Sequence, residues 1–119
     1  MIVFASRTGN VRAVVSKLGL PNIEMTENLV VAEPFLLMTY TDGLGDVPQM
    51  VEDFMQVNAI YCKGIVASGN QNFGHALFAG SGDKLTTKYG IPLVCKMDLR
   101  GKQADLALIQ SFYEEQVCR

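Results

Sequence analysis

Three short segments of this 119-residue chain concentrate the residue types that bind and orient small polar ligands. The first, Ser6-Arg7-Thr8-Gly9-Asn10, places two hydroxyls, an amide and a glycine between an apolar run and a helix-like pattern. A phosphate needs that set: backbone N–H groups aimed at one point, hydroxyl donors beside them, and the positive end of a helix dipole. The segment has no GK[ST], so it is not a Walker A loop. It has no GxGxxG, which disfavours a dinucleotide pyrophosphate. A monophosphate fits better. The second segment is Thr39-Tyr40-Thr41-Asp42-Gly43-Leu44-Gly45-Asp46-Val47-Pro48. Its two glycines flank one apolar residue and let peptide planes flip, because glycine accepts positive φ. A redox heterocycle needs such a peptide at its edge, accepting a hydrogen bond in one oxidation state and donating or retreating in the other. The third, Ser68-Gly69-Asn70-Gln71-Asn72-Phe73-Gly74, has amides suited to reading the edge of a heterocycle and an aromatic ring to cover its face.

Each segment alone also has a plain structural role: a capped turn, a hinge-like loop, and core packing for Phe73. The surrounding elements decide what the three can do together. An apolar run at Ile2–Ala5 is followed by Val11, Val14, Val15 and Leu18, one face of a helix closed by Gly19 and Pro21. A short strand is expected within Ile23–Val31. Phe35–Tyr40 is a buried strand, and Val47, Met50, Val51, Phe54 and Met55 trace the next helix, with Asp46 as its N-cap and Pro48 in its first turn. Gly64–Ser68 is a third apolar strand. His75 to Tyr89 reads as helix, interrupted by Gly80 and Gly82. Ile91–Met97 reads as strand, and Leu106, Ile109, Phe112, Tyr113 and Val117 mark a last amphipathic helix. Strands alternating with helices imply βαβ units and a parallel sheet buried on both faces. The expected architecture is one α/β domain over residues 1–119, a doubly wound five-stranded parallel sheet with helices on both faces. Every strand-to-helix loop then emerges at one edge, where ligands bind if the strand order reverses.

Composition narrows the function classes. Nearly half the residues are apolar, 18% are charged and the net charge is −2. No basic stripe is present, so no nucleic-acid partner is expected. No segment approaches the ~18 consecutive apolar residues of a membrane span. The opening MIVFASRTGN lacks the basic region of a secretory signal, and cytoplasmic location is the expectation. Cys62, Cys95 and Cys118 form no CxxC pair and no Cys/His cluster, so no metal site is expected and all three thiols read as small core hydrophobes. No protein nucleophile or acid/base pair is apparent, and a phosphatase is disfavoured because no C-x5-R is present. His75, the sole histidine, reads as a helix-start or surface residue, with gating or docking as the other option. Glu52–Asp53 and Glu114–Glu115 read as solvated helix faces.

SRTGN, TYTDGLGDVP and SGNQNFG, in this order and spacing and followed by IPLVCKMDLRG, resemble the NrdI family. These are flavodoxin-like FMN proteins that accompany class Ib ribonucleotide reductases. The resemblance implies the flavodoxin-like strand order 2-1-3-4-5 and FMN as cofactor. It implies that Ser6, Thr8, Gly9, Asn10 and Val11 hold the phosphate. Thr39, Tyr40, Thr41, Asp42, Gly43, Leu44 and Gly45 would line the ribityl chain and flavin N5, with Gly43 as the flipping peptide. Ser68, Gly69, Asn70, Asn72, Phe73 and Gly74 would contact the ring system. Phe73 stands where the family often has tryptophan. Arg7 is unusual in its loop, with phosphate, solvent or a partner as its possible contacts. Only Asp42 and Asp46 are acidic within the three loops, so the loops do not impose the strongly acidic field of an electron-transfer flavodoxin. The resemblance further implies that the reduced flavin, charged by a flavin- or ferredoxin-type reductant, converts O2 to superoxide or peroxide. The oxidant would pass to the dimanganese small subunit of the reductase to assemble its tyrosyl-radical cofactor. A generic electron-relay flavodoxin and a non-redox phospholigand-binding module are the alternatives.

Overall fold

The computed structural model describes residues 1–74 and 77–118; His75, Ala76, Arg119 and the side chain of Phe73 lie outside that description. Five parallel strands form one sheet in the order β2-β1-β3-β4-β5: β1 (Ile2–Phe4), β2 (Asn22–Glu24), β3 (Phe35–Thr39), β4 (Cys62–Gly69) and β5 (Leu93–Asp98). Four helices connect or follow them: α1 (Asn10–Leu18), α2 (Gln49–Asn58), α3 (Gly80–Tyr89) and α4 (Gln103–Phe112). The last turn widens to π geometry over Tyr113–Val117. The five-stranded parallel sheet and its strand order are as expected.

The central strands look uniformly apolar in sequence, yet their side chains still alternate between faces. Ile2, Phe4, Leu36, Met38, Val66 and Met97 pack on one face against Val11, Val14 and Val15 of α1 and Ile109 of α4. Val3, Phe35, Leu37 and Ile65 pack on the other against Val51, Phe54 and Met55 of α2 and Leu85 of α3. Phe35 and Phe54 meet edge-to-face with ring centroids 5.6 Å apart. Burial on both faces is why β1 and the first four residues of β3 are apolar; Thr39, at the carboxyl end of β3, is buried but polar.

The connection from β2 to β3 contains no helix. Residues 25–34 instead form a strap that buries Met25 and Val31 in the second core. A chain segment without secondary structure must satisfy its amides some other way, and Asn58 at the end of α2 does this. Its Oδ1 accepts the Val31 N–H at 2.8 Å, while its Nδ2 donates to the carbonyls of Leu29 at 3.0 Å and Phe54 at 2.9 Å.

Several local expectations are corrected. The second strand is only Asn22–Glu24, because the chain then leaves the sheet to form the strap. Asp46 does not cap α2. It exchanges backbone hydrogen bonds with Asp42, and Pro48 takes the N-cap position with φ −57° and ψ 140°. Helix α3 begins at Gly80 instead of His75, after a left-handed Ala79 at φ +48°. Its glycines mark close packing: a Cβ on Gly82 would lie 2.9 Å from the Ala67 side chain. Cys62 and Cys95 are buried as expected, but Cys118 is exposed. Glu52 is half-buried and paired with Lys88 at 3.2 Å.

Asn58→Ala removes three hydrogen bonds and orphans buried backbone groups, so it is expected to destabilise the fold by about 2–4 kcal/mol in urea unfolding. A substitution at the 83%-exposed Ile60 is expected to change stability by less than about 0.5 kcal/mol. Burial pushes the Cys62 thiol up to about 12, and burial together with a hydrogen bond to Asp105 does the same for Cys95. Their contribution to stability is therefore fully present below the unfolded value of 9.0 and is lost as pH rises toward about 12. At pH 8 a thiol reagent should label one cysteine rapidly, Cys118, and reach the other two only on unfolding.

Candidate functional site

In this sheet β1 and β3 are neighbours, but the chain leaves them in opposite directions. The helix after β1 lies on one face and the helix after β3 on the other. A crevice must open between the two departing loops, at the carboxyl ends of the strands. A cleft of about 260 Å³ occupies that place. Its walls come from the first loop (Ser6, Arg7, Thr8, Asn10, Val11), the second (Tyr40, Thr41, Gly43) and the third (Ser68, Gly69, Asn70). The three segments singled out by residue type converge on one cavity.

The first loop presents donors. Gly9 sits just before α1 in the left-handed region at φ +90° and, as the N-cap residue, has no side chain to cap the helix. A left-handed residue followed by helical ones turns consecutive N–H groups toward a common point. One first-turn amide, that of Arg12, is taken by Ser6 Oγ at 3.3 Å. Asn10 and Val11, whose N–H groups have no partner within the helix, line the cleft. Thr8 Oγ1 accepts from Asn10 Nδ2 at 3.2 Å, which aligns both side chains over the same turn.

The second loop is stapled at its base. Asp42 and Asp46 exchange both backbone hydrogen bonds, at 2.8 and 2.7 Å. The Gly43-Leu44-Gly45 tip projects beyond that pair, with Gly43 at φ +46° and Gly45 at φ +96°. Thr41 Oγ1 lies 2.7 Å from Ser81 Oγ, tying the loop to α3. The approach is close: a Cβ on Gly80 would lie 2.9 Å from the Gly45 carbonyl oxygen, so α3 must start with glycine here. A Cβ on Gly69 would likewise lie 2.6 Å from the Ala79 amide nitrogen.

Several residues named from the sequence do not line the cleft. Thr39 is fully buried and donates from Oγ1 to the Tyr40 carbonyl at 2.9 Å. Asp42 turns to Arg7, Gly45 is packed against α3, and Leu44 at the loop tip is 66% exposed. Gly9 shapes the first loop without standing in the wall. Asn72 and Gly74 are exposed beside the cleft, Asn72 donating its N–H to Asn70 Oδ1 at 2.9 Å. The ring of Phe73 and all of His75 fall outside the described residues.

Three lining residues were not singled out in the sequence: Leu77, Ala79 and Leu99. Leu99 belongs to a fourth loop, after β5, and is held in the left-handed region at φ +55°. Its N–H donates to the Gly69 carbonyl at 2.7 Å, and its own carbonyl accepts from Ser68 Oγ at 2.6 Å. Arg100 Nε then reaches Asn10 Oδ1 at 3.2 Å, joining the fourth loop to the first. The available signal was positional: a parallel sheet brings every such loop to the same edge.

Charges around the cleft are mixed. Arg7 pairs with Asp42 at 3.0 Å, Lys84 with Asp46 at 2.7 Å, and Arg100 stands beside Asn10. Among the described residues no group of three or more His, Cys, Asp or Glu is placed to hold a metal ion. No helix among the described residues is long and apolar enough to cross a membrane. A larger groove of about 600 Å³ lies between the strap and α2. Its walls come from one strap and one helix, not from the converging loops.

The fold recurs in solved flavodoxins. Oxidised flavodoxin 1 from Bacillus cereus superposes with a TM-score of 0.70 at 18% identity, over 96% of this chain and 93% of that one. A short-chain flavodoxin associated with a non-canonical PDU bacterial microcompartment gives 0.66 at 19%, over 95% and 92%. Fusobacterium nucleatum flavodoxin bound to flavin mononucleotide gives 0.61 at 15%, over 96% and 93%. Those likenesses establish the architecture. The sequence itself matches the family described as NrdI flavodoxin-like over residues 2–111, and the chain belongs to that family.

Proposed function

We propose that this protein is an FMN protein that, once reduced, converts O2 to superoxide or peroxide. It delivers that oxidant to the dimanganese small subunit of a class Ib ribonucleotide reductase. The observation that carries the reading is the meeting of a phosphate-type donor loop, a two-glycine loop and an amide loop in one cleft of an NrdI-family chain. The residues present fit FMN. The first turn of α1, entered through Gly9 with Ser6 and Thr8 beside it, suits one phosphate group, and the loop lacks the GxGxxG pattern of a pyrophosphate site.

Bound FMN supplies the electrons for O2 reduction; the protein supplies binding, orientation and electrostatics. Ser6, Thr8, Asn10 and Val11 would hold the phosphate, with Gly9 setting the turn that brings them together. Tyr40 and Thr41 would line the ribityl side, and Gly43 would supply the peptide that reorients at the ring edge. Thr39, Asp42, Leu44 and Gly45 serve indirectly, by fixing the strand end and the loop that carries Gly43. Ser68, Gly69 and Asn70 would form the ring-side wall, with Asn72 and Gly74 beside it. The nearby cations offset Asp42 and Asp46, so the local field does not strongly oppose negative charge on a reduced cofactor.

Anaerobically reduced, FMN-loaded protein is expected to consume O2 and to promote tyrosyl-radical formation in a manganese-loaded class Ib small subunit. Radical formation is followed by electron paramagnetic resonance. No complex and no radical, with a very low second flavin potential, would favour an electron-relay flavodoxin. A protein that ignores FMN but binds another phosphorylated ligand would favour a non-redox binding module. Gly43→Val puts a β-branched residue at φ +46°, where it resists reorientation. That variant is expected to keep FMN affinity within about tenfold, while shifting the flavin potentials and slowing O2 consumption.

A further inference from the structure

Arg7 is the residue of the first loop that phosphate binding does not explain. Its Nη1 donates to Asp42 Oδ1 at 3.0 Å, and its Cζ stands 5.5 Å from the centroid of the Tyr40 ring. Both contacts are to the segment leaving β3, so the guanidinium faces across the cleft mouth toward the second loop. From the opposite side, Lys84 of α3 reaches Asp46 Oδ1 at 2.7 Å. The two aspartates held in this way are the ones that exchange backbone hydrogen bonds beneath the Gly43-Leu44-Gly45 tip. The loop is therefore pinned at its base and tethered on both flanks, while its glycine peptides stay outside the pairing.

We propose that Arg7 is a positioning residue for this loop. By holding Asp42 it fixes the base about which the Gly43 peptide reorients, and it is not a phosphate ligand. The proposal deepens, and rests on, the FMN reading. Arg7 and Asp42 side chains are 60% and 38% exposed, so the pair is weak and screened by salt. A weak tether suits a loop that must rearrange. It restrains the base without locking the tip.

The test uses Arg7→Gln, Asp42→Asn, their double variant, and the charge swap of Arg7→Asp with Asp42→Arg. Three quantities are read: amide hydrogen exchange at residues 42–46 of the apoprotein, the two one-electron potentials of bound FMN, and affinities for FMN and riboflavin. Each single variant is expected to speed exchange at Asp42 and Asp46 by roughly two- to fivefold. Both should move the gap between the potentials in the same direction. The double variant should be no worse than either single, and the swap should return toward wild type. FMN and riboflavin should weaken by the same factor.

Opposite movements in the two single variants would mean that only net charge matters and would overturn the proposal. Loss of FMN affinity alone in Arg7→Gln would make Arg7 a phosphate ligand, which also overturns it. Additive singles would show that the two residues act independently, again against it. Wild-type protein that takes up no FMN would remove the cofactor reading. The exchange measurement on apoprotein would still decide whether Arg7 holds the loop.

Discussion

The architecture depends on one topological constraint: β1 and β3 lie side by side, yet the helices that follow them cover opposite faces of the sheet. Two loops that start as neighbours must then part, and a cleft is left between them. The remaining walls are built by close packing. Gly80 against Gly45, and Gly69 against Ala79, bring the start of α3 to within backbone contact of the second and third loops. Larger residues there would push α3 away and open the cleft sideways. The fourth loop closes the remaining side through the Leu99 backbone, hydrogen-bonded to the end of β4.

The same economy shapes the far edge of the sheet. Where a doubly wound fold ordinarily crosses over with a helix, this chain uses a ten-residue strap over residues 25–34. Two buried apolar anchors and one buried amide, Asn58, replace the helix's own hydrogen-bonding ladder. The strap therefore depends on tertiary contacts, whereas the helices carry their backbone bonding with them. The cleft is insulated from that edge, because β1, the strand that feeds its donor loop, is fully buried between its neighbours.

Much of this was legible in the residues. Buried parallel strands must be apolar on both faces, so Ile2–Phe4, residues 35–38 and the core of β4 announced themselves as unbroken runs. The helical stripes of α1, α2 and α4 followed from their spacing. The three loops were legible because phosphate and heterocycle recognition need hydroxyls, amides and glycines that a core does not. What escaped was decided by tertiary contact. Ala79 and Leu77 line the cleft because α3 packs tightly on Gly45 and Gly69, and small apolar residues carry no chemical signature. Leu99 contributes mainly through its backbone, held in a conformation that its residue type does not advertise. Asp46 looked like a helix cap because cap residues and loop-closing residues share the same chemistry. Its pairing with Asp42 is visible only in three dimensions.

The convergence of separate loops on one cofactor is the claim on which the functional account stands. The most direct measurement is titration of isotope-labelled apoprotein with FMN, followed residue by residue through amide chemical shifts. The account predicts saturable one-to-one binding with the largest shifts at residues 6–11, 40–45, 68–70 and 99–100, in all four loops together. Shifts centred on the groove between the strap and α2, or no saturable response, would contradict it.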